Sequence, residues 1–219
     1  MANDPTVVFL DANVLAKPLT RTLLIVGATD TPLEVVWSAY VETEAERHLP
    51  EHAMPLLALR QRHQFELSPT GDDAERFTTT SATDRQVLAD TFAAGARFLV
   101  TEDVDDIAEE DLATLRMTAI HPDLFMALRF PRSAYLLAVN LMVAAMKNPP
   151  RTAAQMHALL GRKHPRLTAA HAEAFDGQPD APTDPEPRVL VRGVRCVRCE
   201  SVVETWTELR FGLCVDCQH

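Results

Sequence analysis

The sequence predicts an α/β fold on a mostly parallel sheet, with a small cysteine-bound module behind it. Three observations predict it. Short apolar runs alternate with helical patterns from Thr6 to Ile120, as in a chain of strand–helix units. The stretch Asp176–Pro187 is rich in proline and acid and carries no apolar side chain larger than Ala181. All four cysteines stand behind that stretch, in two Cys-x-x-Cys pairs.

Val7-Val8-Phe9-Leu10 is apolar and ends at Asp11, the pattern of a buried parallel strand with a carboxylate at its carboxyl end. Leu19–Val26 follows as a helix starting near Pro18. Glu34–Trp37 reads as a second strand, and Ser38 as the N-cap of a helix to about Leu49. An amphipathic helix is expected over His52–His63. Thr83 and Gln86 have capping-box spacing, so Thr83 is expected to cap a helix that runs to about Ala94 and stops at Gly95. Arg97–Thr101 is the next strand, followed at once by the acidic loop Glu102–Asp106. Met117–Ile120 is one more strand. From Asp123 to about Phe175 the pattern is helical, with breaks at Pro131, Pro149-Pro150 and Pro165.

At 219 residues the chain holds one domain of ordinary size and something small. A formal net charge of -10 argues against a protein that coats nucleic acid, whose affinity comes from neutralising phosphates. It argues less against a nuclease whose acids hold divalent cations, because bound metal inverts the local field. The longest apolar stretch, Ala134–Met146, holds Asn140 and is too short to span a bilayer, so a core helix is expected and no membrane partner. Thr6–Leu10 is too short for the apolar core of a signal peptide, and the cytoplasm is the expected compartment.

The expected division is an α/β domain over 1–130, a helical extension packed on it over 131–175, a linker over 176–187 and the cysteine module over 188–219. Cys196, Cys199, Cys214 and Cys217 supply four thiolates with fourteen residues between the pairs, the spacing of a tetrahedral structural Zn²⁺ site in a ribbon. So short a module needs the metal to fold. Arg188, Arg192, Arg195 and Arg198 make its start basic, to touch RNA or to dock on the acidic main domain. Trp206 and Phe211 either stack on bases or form the ribbon's small core.

Four carboxylates stand where this architecture brings side chains together. Asp11 ends the first strand, Glu44 lies in the helix after the second, Asp84 sits in the first turn of a later helix, and Asp103 follows the strand after that. Sites in open parallel sheets form outside the carboxyl ends of the strands. Clustered carboxylates repel unless a hard cation compensates, and Mg²⁺ or Mn²⁺ prefers such oxygen ligands. Taken singly, Asp11 is a turn former, Asp84 a residue favoured by a helix N-terminus, and Asp103, Asp105 and Asp106 a surface loop. Glu42 competes with Glu44, although Val41, Glu44, Ala45 and His48 share one helical face.

The segments FLDANVLAKPLTRTLLI, WSAYVETEA, TDRQVLADTFAAGARFLVTED and KNPPRT resemble PIN-domain proteins, in particular the bacterial group related to VapC-type toxin ribonucleases. The resemblance spreads over Thr6–His164. It implies a three-layer α/β/α fold with extra C-terminal helices and a Mg²⁺- or Mn²⁺-dependent ribonuclease. By motif match it implies metal ligation and catalysis by Asp11, Glu44, Asp84 and Asp103, with Asn13, Ser38, Thr101 and Asp106 in support. Arg85, beside Asp84, meets a phosphate or makes a local salt bridge. As partners it implies RNA, an antitoxin protein and a second copy of the chain.

The sequence therefore leads to an endoribonuclease with a structural zinc ribbon. The rival is a non-catalytic RNA- or protein-binding module made of an acidic α/β domain and the same ribbon, which the net charge favours. A structure-specific DNA nuclease is a third option.

Overall fold

The computed structural model describes residues 4–146, 149–175 and 190–194. The four cysteines, Arg188, Arg195, Arg198, Trp206, Phe211 and the expected linker lie outside the described residues, and so does the zinc-ribbon expectation.

The described chain is α/β, with a five-stranded, mostly parallel sheet. The strands are β1 (Thr6–Leu10), β2 (Leu33–Val36), β3 (Phe98–Val100), β4 (Thr118–Ile120) and β5 (Val191–Arg192), in the order β2-β1-β3-β4-β5. The first four pair in parallel, with Phe9 beside both Val36 and Leu99. β1 lies between β2 and β3, and Val8, Phe9 and Leu10 are fully buried, which is why this short strand is continuously apolar. The chain adds β2 on one side of β1 and β3 on the other. That reversal opens a crevice at the carboxyl end of β1, beside the carboxyl end of β3.

The helices are α1 (Ala12–Leu15), α2 (Pro18–Ala28), α3 (Ala39–Arg47), α4 (Leu56–His63), α5 (Arg85–Ala93), α6 (Glu109–Leu115), α7 (Pro122–Arg129), α8 (Arg132–Ala145), α9 (Ala153–Gly161) and α10 (Pro165–Ala170). Ser38 caps α3 by accepting from the Val41 amide at 3.2 Å. Gly95 ends α5 with φ of +64°, a left-handed residue that glycine adopts without strain. Helices follow β1, β2, β3 and β4 in turn, an order compatible with a three-layer α/β/α arrangement.

The helical extension packs on the α/β part. α8 lies on α2, where Gly27 admits the Phe130 ring: a Cβ added at Gly27 would stand 2.3 Å from it. α10 lies on α7, tied by the buried Asp123 carboxylate, which accepts from the Arg166 and Leu167 amides at 3.1 and 3.0 Å. Thr152 and Gln155 cap each other reciprocally at the start of α9.

Several expectations are corrected. The helix expected from His52 begins at Leu56, because Pro55 disfavours helical backbone in the residue before it and serves as the cap. Thr83 does not cap α5. Asp84 holds that position with no side-chain cap bond, and Gln86 reaches Gly71 and Asp90 instead of the helix start. α1 and α6 were not anticipated; both are short and lack a long apolar period. The segment 190–194, expected to open the cysteine module, instead contains the antiparallel edge strand of the main sheet, with Ala119 opposite Arg192. Among the described residues no helix is long and apolar enough to cross a membrane.

Candidate functional site

A groove of about 720 Å³ opens at the carboxyl edge of the sheet, and Asp11, Glu44, Asp84 and Asp103 all line it. Asn13, Lys17, Tyr40, His48, Thr83 and Lys163 share the lining.

Asp11 is held at the floor by its own strand end. Its backbone amide bonds the Val100 carbonyl at 3.0 Å, so β1 and β3 together set where its side chain begins. One carboxylate oxygen accepts from the Ala12 amide at 2.6 Å, capping α1. The other accepts from Asn13 Nδ2 at 2.9 Å and from the Thr101 hydroxyl at 2.7 Å. Burial nevertheless pushes the Asp11 carboxyl up to about 6. The Thr101 and Ala12 bonds oppose that rise, and the neighbouring Asp84 and Asp103 charges add to it.

Asn13 joins the two sides of the crevice. Its Nδ2 donates to Asp11, to Thr101 Oγ1 at 3.0 Å and to Asp103 at 3.0 Å. Its carbonyl oxygen accepts from the Glu102 amide at 3.1 Å. Thr101, buried at the end of β3, also accepts from the Asp103 amide at 3.1 Å and so fixes the loop that carries the fourth acid.

Asp84 enters from the start of α5, where Ser81 and Thr83 hydroxyls donate to it at 2.5 and 3.4 Å. Burial raises its pKa, with repulsion from Asp106 and Asp103 in the same direction and the hydroxyls opposing. Glu44 enters from α3 and bonds Arg47 at 2.7 Å and His48 at 3.1 Å. Among the described residues no group of three His, Cys, Asp or Glu stands close enough to hold a metal ion as the side chains are placed. The structure thus brings the four acids to one groove without gathering them at ligand distance.

The competing residues separate cleanly. Glu42 points away from the groove acids: it takes Arg60 Nε at 2.7 Å, Arg60 NH2 at 3.2 Å and Trp37 Nε1 at 2.8 Å. Asp103 lines the groove, Asp106 acts on Asp84, and Asp105 faces Arg192 at 3.6 Å. Arg85 donates to the Thr80 and Thr78 carbonyls at 3.1 and 3.3 Å, so it braces a loop, and among the described residues it makes these bonds in place of a local salt bridge. Arg192 donates to the Ile107 carbonyl at 2.7 Å and stands 3.6 Å from Asp105, a contact with the acidic main domain, which is one of the two roles expected of the basic start of the cysteine module.

Sequence reading missed four residues here. Lys17, Tyr40 and Lys163 line the groove; Tyr40 was findable, because it precedes Glu44 by one helical turn. Asp90, fully buried, accepts from Ser38, from the Gly71 amide at 2.8 Å and from Gln86 at 2.6 Å. It thereby anchors the start of α3, the helix that delivers Tyr40 and Glu44. Its apolar surroundings in the sequence gave no signal. Comparison with protein-family models, with curated proteins and with solved structures gives no match for this chain.

Proposed function

We propose that the protein is a divalent-cation-dependent endoribonuclease of the PIN kind, on a three-layer α/β/α domain. One observation carries the reading: four carboxylates from four separate parts of the chain line a single groove at the carboxyl edge of parallel strands. The donor set fits Mg²⁺ or Mn²⁺. It is made of hard carboxylate oxygens, and their mutual repulsion, which helps to raise Asp11 and Asp84, is the penalty a cation relieves.

Asp11, Asp84 and Asp103 would hold the ion, with Glu44 joining when Arg47 and His48 release it. When bound, the ion supplies an acidified water and positive charge against a scissile phosphate. The chain's own residues do the rest. Asn13 and Thr101 orient Asp11 and keep the Asp103 loop against it. Burial and two acid neighbours favour the neutral form of Asp84 in the metal-free chain, and a bound cation would offset both effects and keep it ionised. The sequence resemblance extends the proposal to a toxin that pairs with an antitoxin protein and forms a homodimer. Cys196, Cys199, Cys214 and Cys217 would carry a structural Zn²⁺.

The test is cleavage of mixed RNA in Mn²⁺ by the wild type, Asp11→Asn and Asp84→Asn. Each variant should lose at least about a hundredfold, the upper end of what removing an outer partner of a metal ligand costs. Equal rates in all three proteins would remove these acids from the chemistry. A second reading, a non-catalytic RNA- or protein-binding module, is favoured by the engagement of Glu44 with Arg47 and His48. Calorimetry decides for it if no Mn²⁺ binds at millimolar concentration beyond tightly held zinc.

A further inference from the structure

We propose that Tyr40, Lys17 and Lys163 form the seat for one strand of RNA across this groove, with a base on Tyr40 and backbone phosphates at the two lysines. The inference rests on the nuclease reading and names how its substrate is held.

Three observations carry it. Tyr40 is 44% exposed, a high value for an aromatic ring that lines a groove, and no aromatic partner covers it among the described residues. Lys17 and Lys163, from distant parts of the chain, line the same groove. Lys163 has no ion pair among the described residues, whereas Lys17 is paired with Glu102, the neighbour of Asp103. Of the arginines that the sequence offered for RNA, the two among the described residues, Arg85 and Arg192, are bonded to backbone carbonyls of the fold.

The chemistry follows from these placements. An aromatic face takes any unstacked base, and ammonium groups take phosphate without reading sequence. The groove volume of about 720 Å³ is that of a small-ligand pocket, which suits a few nucleotides of one strand and not the flank of a duplex. Four carboxylates against two lysines leave the empty groove negative, so the strand binds only when a divalent cation is present. Lys17 then exchanges Glu102 for phosphate.

The experiment measures fluorescence anisotropy of a labelled single-stranded RNA of about ten nucleotides. The full-length protein is used in Ca²⁺, with and without chelator, over a range of salt. Probe integrity is checked on a gel, and Mn²⁺-dependent cleavage is assayed separately. Tyr40→Leu should weaken binding about tenfold with an unchanged salt slope. Lys163→Gln should flatten the slope of log affinity against log salt by about 0.7. Both side chains are exposed, so both variants should melt with the wild type. Wild-type affinity and slope in both variants overturn the seat and leave the nuclease reading standing. Loss of binding in the variants of a protein that never cleaves RNA upholds the seat and removes the nuclease. Equal affinity for a duplex of the same sequence also overturns the proposal.

Discussion

The side-chain amide of Asn13 donates to the carboxylate of Asp103 at 3.0 Å, across 90 residues of chain. The same nitrogen also serves Asp11 and Thr101, so one amide sets the spacing of two groove acids. Asn13→Ala removes that link while leaving both acids in place. We expect a stability loss of about 1 kcal/mol, the usual worth of a partly exposed hydrogen-bond set. Ribonuclease activity should fall about 10–100-fold. Urea titration and Mn²⁺-dependent cleavage check the two numbers. A large stability loss with unchanged cleavage would make Asn13 a purely structural residue.

Glu42 and Glu44 sit two positions apart on α3 and should respond in opposite ways. Glu42 is 13% exposed and carries the bidentate Arg60 pair, so Glu42→Gln should cost about 1–3 kcal/mol and leave cleavage per folded molecule unchanged. Glu44 is 40% exposed in its pairs with Arg47 and His48, so Glu44→Gln should change stability by less than about 0.5 kcal/mol while reducing cleavage. Thermal melts and initial rates on both variants test the split. The reverse pattern would move the candidate acid to Glu42.

The raised Asp11 carboxyl ties stability and metal binding to pH. Asp11 titrates near 3.8 when unfolded and near 6 when folded, so the folded state holds an extra proton between those values. Its contribution to stability is complete below 3.8 and is lost as pH rises through about 6. Asp84 shifts in the same direction. Cation binding needs both groups ionised. Added Mn²⁺ should therefore raise the melting temperature at pH 8 and lose most of that effect as pH falls through about 6. A Mn²⁺-induced shift that is flat from pH 8 to pH 5 would contradict this (melts at fixed ionic strength measure it).

β5 braces the acidic loop from the edge of the sheet. Arg192 reaches the Ile107 carbonyl at 2.7 Å and Asp105 at 3.6 Å, and the Gly193 amide donates to the Glu109 carboxylate at 3.0 Å. Arg192→Ala should cost about 0.5–1.5 kcal/mol and speed hydrogen exchange at the amides of Asp106 and Ile107. Exchange that is unchanged there would show that the loop holds its place without the edge strand.

Gly27 and Phe130 make a close approach between α2 and the turn into α8. Gly27→Ala should push the Phe130 ring aside at a cost of about 1–3 kcal/mol, read by denaturant midpoint. A neutral result would mean that the ring turns away without loss of packing.

Much of the fold is legible in local patterns. The apolar run before Asp11, the Ser38 cap, Gly95 and the prolines at 131 and 165 each mark an element by chemistry within a few residues of it. The order of those elements already puts Asp11 and Asp103 at strand ends, and hence on one rim. What local patterns cannot show is which long-range partner a polar side chain takes. Thr83 and Gln86 have capping-box spacing, yet Thr83 bonds Ser81 and Asp84 while Gln86 serves Gly71 and Asp90. Glu42 and Glu44 are indistinguishable by type and close in sequence, and only the packing of α4 brings Arg60 to Glu42. Val191 and Arg192 read as the start of a cysteine module until the free edge of β4 claims them, because an unpaired strand edge gains hydrogen bonds from any extended segment that reaches it. Lys163, between α9 and α10, meets the groove because α10 docks on α7 and α9 on α8, a placement that only the assembled core provides. Residue types and spacing determined which acids were available; tertiary packing decided which of them face the groove.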